Sequence, residues 1–225
     1  MPNQVNYQKE LDKVLAGLGE ERPTLLLHSC CAPCSSYVLE YLRQYFQITV
    51  FYYNPNISFE TEYRKRVEEQ KRLINSYNES ASALDFAPIR IIEGDYEPQL
   101  FYALAKGRED MPEGGERCFD CYRLRLEATA GLAERDGFDY FGTTLTISPL
   151  KNAAKLNEIG LDLQRELEAK ASTESAQKTP QWLLSDFKKK NGYKRSVELS
   201  AEYDLYRQDY CGCVYSKRQR ENEKA

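Results

Sequence analysis

Short apolar runs alternate along this chain with longer amphipathic stretches, the pattern of strands interleaved with helices. Thr24–His28 (TLLLH) is read as a buried strand, followed by a helix from about Ser35 to Tyr45. Ile48–Tyr53 is β-branched and aromatic, a second strand that Asn54-Pro55-Asn56 breaks. Ser58 suits a helix cap, with Glu60 and Glu62 in the first turn. Tyr63, Val67, Ile74 and Tyr77 give that helix one apolar stripe. Pro88–Ile92 makes a third strand, and Leu100–Lys106 a helix stopped by Gly107. A polar loop, Arg108–Arg117, leads into Cys118-Phe119-Asp120-Cys121 and then a helix carrying Leu124, Ala128 and Leu132 on one face. Phe138–Ile147 is a fourth strand, and Ser148-Pro149 opens a helix running towards Ala171. Ser172–Thr179 reads as a polar connector, Gln181–Lys190 and Ser196–Tyr206 as helices, and Gln208–Ser216 as a loop. The alternation predicts one three-layer α/β domain with a mainly parallel sheet, its ligand site at the carboxyl edge of the strands. A helical lead covers about residues 1–23, the α/β core about 24–171, and a helical C-terminal extension about 180–220.

With 225 residues and 41% apolar composition, the chain can bury a core of its own. Its net charge of −4 is unevenly spread. Residues 187–220 hold nine Lys/Arg against four Asp/Glu, a local +5, which leaves −9 for the remainder. A basic face on an acidic protein is therefore expected. The N-terminal segment is polar and without an apolar signal core, and no apolar run has the roughly 20 residues of a membrane helix, so a cytoplasmic location is expected. Seven cysteines in a reducing compartment point to metal binding or redox chemistry rather than structural disulfides.

The cysteines form three clusters: Cys30, Cys31 and Cys34; Cys118 and Cys121; Cys211 and Cys213. Two of them contain C-x-x-C spacing, which lets two sulfurs face one metal centre. The first cluster sits where a strand gives way to a helix and the second precedes a helix, so these two are expected to converge at one sheet edge; all seven cysteines are expected to lie close together in space. A structural zinc site would be satisfied by two C-x-x-C pairs but would leave three thiols over; an iron–sulfur cluster accommodates the varied spacing better. Cys211-Gly212-Cys213 can close a small, easily reduced disulfide ring, or supply two more metal ligands. His28, the only histidine, is either a hydrogen-bonding structural residue or a ligand.

Five stretches resemble the QueH family of epoxyqueuosine reductases: His28-Ser29-Cys30-Cys31-Ala32-Pro33-Cys34-Ser35; Tyr53–Ile57 with Tyr63–Arg66; Arg117–Leu126; Thr143–Leu145 with Ser148-Pro149-Leu150-Lys151-Asn152; and Asp186–Lys190 through Tyr210–Ser216. The resemblance spans Leu25 to Ser216 and implies a PP-loop-like (nucleotide-hydrolase) fold. It implies cobalamin-independent reduction of epoxyqueuosine to queuosine at the tRNA wobble position, served by an electron donor that the sequence does not identify. It further implies a [4Fe–4S] cluster on Cys30, Cys31, Cys118 and Cys121, a redox-active disulfide between Cys211 and Cys213, and an additional iron for which Cys34 is the candidate ligand. Removing the epoxide oxygen takes two electrons and two protons; Asp120 and Tyr122, beside proposed ligands, are candidate proton donors. Lys188, Lys189, Lys190, Lys194 and Arg195, interleaved with tyrosines, are candidate tRNA contacts.

Two rivals stand beside this. An ATP-dependent tRNA thiolation enzyme would carry a glycine-rich phosphate loop after the first strand, where Ser29–Cys34 has no glycine. A zinc-stabilised RNA-binding module would hold zinc without sulfide.

Overall fold

The computed structural model describes residues 5–81, 86–172 and 178–224. Five parallel strands form one sheet in the order β3-β2-β1-β4-β5. They are β1 (Thr24–His28), β2 (Gln47–Tyr52), β3 (Arg90–Glu93), β4 (Tyr140–Thr143) and β5 (Gln181–Trp182). Parallel neighbours need crossover connections. These are supplied by α2 (Ala32–Leu42), α3 (Glu60–Ala81), α4 (Pro98–Ala105) with α5 (Glu116–Arg135), and α6 (Ala153–Ala171). α1 (Tyr7–Gly17) precedes the sheet; α7 (Gly192–Glu202) and α8 (Val214–Lys224) follow it.

Side chains alternate across a strand, and β1 shows what that does here. Leu25 and Leu27 pack into a cluster with Leu11 and Leu15 of α1, Leu39 and Leu42 of α2, and Leu73 and Ile74 of α3. Leu26, between them, packs on the opposite face with Leu126 of α5, Phe141 of β4, and Leu156 and Ile159 of α6. Helices therefore cover both faces, giving the three layers expected. Burying each such leucine stabilises the fold by roughly 1.5–3 kcal/mol.

The chain moves outward from β1 through β2 to β3, then returns past β1 to form β4. A crevice opens where the strand order reverses, outside the carboxyl ends of β1 and β4. Residues 29–34 and 144–151 are the segments that leave those two strand ends.

Four local expectations are corrected. The expected helix over Gln181–Lys190 begins instead with β5, whose Trp182 packs so closely on α6 that a Cβ on Gly160 would lie 2.1 Å from the indole. The segment expected as a loop to Ser216 turns into α8 at Val214. α6 starts at Ala153 rather than Ser148, because Asn152 caps it by accepting a hydrogen bond from the Lys155 amide (3.0 Å). Cys118 and Cys121 lie within the first turns of α5, not ahead of it. Part of the expected connector Ser172–Thr179, and the first residues of the N-terminal lead, lie outside the described residues.

Candidate functional site

All seven cysteines line one cavity of about 170 Å³ at this crevice. Each is a free thiol. The first three are placed by the end of β1. Cys31 occupies the cap of α2 in an extended conformation, and Pro33, fixed in φ, suits the first turn that follows. The turn brings the sulfurs of Cys30, Cys31 and Cys34 within 4.8 Å of one another, close enough to hold one metal ion. Cys30 and Cys31 are 3.7 Å apart. Behind them the Ser29 and Ser35 hydroxyls both donate to Gln70 Oε1 (2.8 Å each), and Asn54 donates to the Ser29 carbonyl (2.8 Å), fixing the loop from the buried side.

Among the three, Cys31 is the thiol held towards the thiolate: Cys30 and Cys34 hydrogen-bond to it, and the Arg66 guanidinium adds its charge. Its hydrogen bond with Cys31 pushes Cys30 up to about 11, and hydrogen bonds with Cys30 and Cys31 push Cys34 up. Cys118 and Cys121, three residues apart on α5, share one helix face. The Gly114 amide donates to Cys118 Sγ (3.3 Å), and burial pushes Cys121 up to about 11.

Cys211 and Cys213 reach the cavity by a separate route. Their sulfurs are 3.5 Å apart. Asn56 Nδ2 (3.3 Å) and Arg66 Nη1 (3.2 Å) donate to the Cys211 carbonyl. Ser58 accepts from the Val214 amide (2.9 Å) and donates through its own amide to the Gly212 carbonyl (3.1 Å). Gly212 sits at φ +117°, with Ile57 only 2.8 Å from where a Cβ would lie, so glycine is required there. Cys211 is drawn down by its hydrogen bond with Cys213, by nearby Lys151 and by Ser216 (3.0 Å), whereas Cys213 is raised by the same partnership.

His28 is fully buried, and burial, reinforced by the charge of Arg125, pushes it down to about 3. Its Nε2 faces the Tyr53 carbonyl (3.1 Å), an acceptor only, so Nε2 carries the proton. Nδ1 then accepts from the Thr143 hydroxyl (2.9 Å). Both nitrogens are used, which gives His28 the role of tying β1 to β4.

Asp120 is not among the residues lining the cavity. It is 44% exposed and ion-paired with Arg108, because a step of about 100° per residue carries it off the face that Cys118 and Cys121 share. Tyr122 does line the cavity, and its buried hydroxyl has no hydrogen-bond partner among the described residues. The basic run is largely engaged with carboxylates. Lys188 pairs with Asp186, Lys190 with Asp12, Lys194 with Glu198 at 4.0 Å, and Arg195 with Glu40, Glu198 and Glu202. Lys189 is exposed and has no ion pair among the described residues. Tyr193 and Ser196 of α7 line the cavity, so this region flanks it.

Residue-by-residue sequence reasoning passed over Asn56, Arg66, Glu113, Arg125 and Lys151, all in the cavity wall. The cationic charges of Arg66, Arg125 and Lys151 favour the thiolate form of neighbouring cysteines: Arg66 that of Cys31, Arg125 that of Cys121 and Lys151 that of Cys211. A wall of soft thiols with such cations fits a thiolate-ligated metal centre. No helix among the described residues is long and apolar enough to cross a membrane.

The family model described as epoxyqueuosine reductase QueH matches residues 25–219, a stretch that contains all seven cysteines. The chain is 43% identical to the epoxyqueuosine reductase QueH of Staphylococcus epidermidis, over 96% of this chain and 87% of that one. It is 42% identical to the Streptococcus pyogenes protein of the same name (96% and 80%) and 32% identical to that of Thermotoga maritima (90% and 94%). Among solved structures, the U34-tRNA thiolase NcsA from Methanococcus maripaludis is a remote likeness, at TM-score 0.48 and 12% identity over 93% of this chain and 67% of that one. Agreement at this level with several relatives over most of their lengths leaves one assignment: the chain belongs to the QueH family of epoxyqueuosine reductases.

Proposed function

We propose that this chain reduces epoxyqueuosine to queuosine at the wobble position of tRNA, without cobalamin. The observation that carries this is the convergence of seven thiols on one cavity at the sheet's switch point, in a chain of this family. Cys30, Cys31, Cys118 and Cys121 would hold a [4Fe–4S] cluster, and Cys34, beside Cys30 and Cys31, would serve an additional iron. Such a centre, when bound, supplies single electrons and a Lewis acid for the epoxide oxygen.

The chain's own residues supply the rest. Cys211 and Cys213 are near enough to pass between dithiol and disulfide, storing the two electrons the reaction consumes. Their thiols also carry the two protons that leave with the oxygen as water. Arg66 and Asn56 hold Cys211 in the cavity through its carbonyl. The dithiol would be regenerated by an external electron donor in the cytoplasm, where thiols stay reduced. Lys188, Lys189, Lys190, Lys194 and Arg195 would contact tRNA phosphates along the segment flanking the cavity, with Lys189 the least committed to other partners.

The test is anaerobic purification with iron and acid-labile sulfide analysis, combined with conversion of an epoxyqueuosine-containing anticodon stem-loop. About four or more iron per chain with sulfide, and queuosine as product, is the expected outcome. One or two zinc without sulfide would sink the proposal in favour of a zinc-stabilised RNA-binding module.

A further inference from the structure

The cations lining the cavity differ in how far their donors are used. Arg117 Nη1 donates to the carbonyls of Arg108 and Glu109, and its guanidinium lies over the Tyr215 ring. Arg125 donates to the Cys121 carbonyl, and Arg66 to Glu62 and the Cys211 carbonyl. Donors are left over on these arginines too, but Lys151 is the one ammonium in the wall among the described residues, a group that can release a proton where a guanidinium does not. Its side chain is 9% exposed, and among the described residues its ammonium has one partner, Glu113 at 2.6 Å, itself 9% exposed. An ammonium has three donors. A nine-tenths buried cation with spare donors in a cavity wall leaves room for an acceptor from outside the chain.

A buried ion pair is a poor stability device, since desolvation offsets much of the attraction. This one does have a mechanical setting. Lys151 lies in the segment after β4, and Glu113 in the loop that leads into α5 and its two cysteines. The Glu113 amide donates to Gln219 of α8 (3.1 Å), the helix that begins beside Cys213. The pair therefore sits where the loop leading into the helix of Cys118 and Cys121 meets the segment bearing Cys211 and Cys213. Burial alone would depress Lys151, but Cys211, Tyr122 and Glu113 raise it above its ordinary value, so it remains an ammonium.

We propose that Lys151, oriented by Glu113, donates a hydrogen bond to the oxygen of the substrate epoxide and gives it a proton as its carbon–oxygen bond breaks. The inference rests on the epoxyqueuosine reductase reading. Negative charge develops on that oxygen during cleavage, and a cation already placed in the cavity wall stabilises it. In sum, epoxide plus two thiols gives alkene, water and a disulfide. Both carbon–oxygen bonds break, the carbon–carbon bond becomes double, and Cys211 and Cys213 lose two electrons and two protons. Lys151 gives up one proton and regains it from that pool, so it does not enter the balance.

The experiment compares wild type with the Lys151→Met/Glu113→Gln double variant, which removes the pair without stranding one charge. Single-turnover reduction of an epoxyqueuosine stem-loop by the loaded, reduced enzymes should fall about a hundredfold, with iron and thiol content unchanged. A fall of less than tenfold overturns the proposal. A second readout needs no turnover: in the disulfide form, which lacks the electrons to react, wild type should bind the epoxide stem-loop more tightly than the queuosine one, and the variant should bind both alike. No such preference in wild type also overturns it. Should the double variant fail to fold, Lys151→Arg keeps the charge but does not release a proton; it should retain the binding preference and lose turnover, and full turnover there would overturn the proposal. If wild type itself reduces no epoxide, it is the functional reading that fails, and the binding preference still tests Lys151.

Discussion

Cys30, Cys31 and Cys34 meet Cys211 and Cys213 in one cavity, yet the two groups are held there by different means. The first leaves the end of a central strand, paired on both sides and packed against helices on both faces. To displace it, the sheet itself would have to open. The second hangs on the chain's last turns through side-chain and amide contacts from Asn56, Ser58 and Arg66, with one glycine at positive φ between the thiols. A metal centre needs fixed ligands, whereas a dithiol must change its sulfur–sulfur distance whenever it is oxidised. The mode of support matches the chemistry proposed for each.

The largest test of that contrast is substitution of the thiols. Cys30→Ser, Cys31→Ser, Cys118→Ser or Cys121→Ser should remove most bound iron and with it all turnover, because a hydroxyl poorly replaces a soft thiolate. Cys211→Ser or Cys213→Ser should also abolish turnover, but with most iron retained on elemental analysis. Equal iron loss in both groups would erase the distinction. A smaller effect is expected from Gly212→Ala, which forces a side chain into positive φ against Ile57 at a cost of about 1–3 kcal/mol. Turnover should slow and amide exchange around Val214 should quicken, with iron content unchanged. Ser58→Ala removes one of the bonds to the same segment, a loss of about 1 kcal/mol, and should shift the same two observables less. The smallest effect belongs to Lys188→Ala/Lys189→Ala/Lys190→Ala. Two of these lysines are already paired with carboxylates, so the slope of log affinity for tRNA against log salt should flatten by about 1 rather than about 3. No change at all would remove this run from the tRNA contact.

The same contrast marks what could be read from the chain. β1 stands out as a leucine run and β2 as a β-branched and aromatic one because they are buried on both faces, and the cysteines that follow β1 inherit a predictable place at the sheet edge. β5 does not stand out. Its two residues become a strand only through pairing with β4, the Gln181 amide donating to Asp139 (2.9 Å) and the Leu183 amide to Phe141 (2.8 Å). α8 shows no apolar stripe because only Ser216 of it is buried, so no periodicity announces it. That Cys211 and Cys213 reach the other five was legible as a cluster needing company, but the contacts that bring them there join residues some 150 positions apart. No role was legible for Lys151 or Glu113, for a like reason. Each looks like an ordinary loop charge until the fold buries the two together.

Trp182 is the chain's single tryptophan. It is nearly buried, edge-on to Phe141 at 5.2 Å, with its indole N–H on Asn157 (3.1 Å), and it does not border the thiol cavity. The protein therefore carries its own optical reporter on the far strand of the sheet. The wavelength of selectively excited indole emission follows the burial of Trp182 between β5 and α6, while absorption by a metal held at the thiols would follow the cavity. The emission wavelength then reports the fold and the visible absorption the metal, in one sample and without an added label.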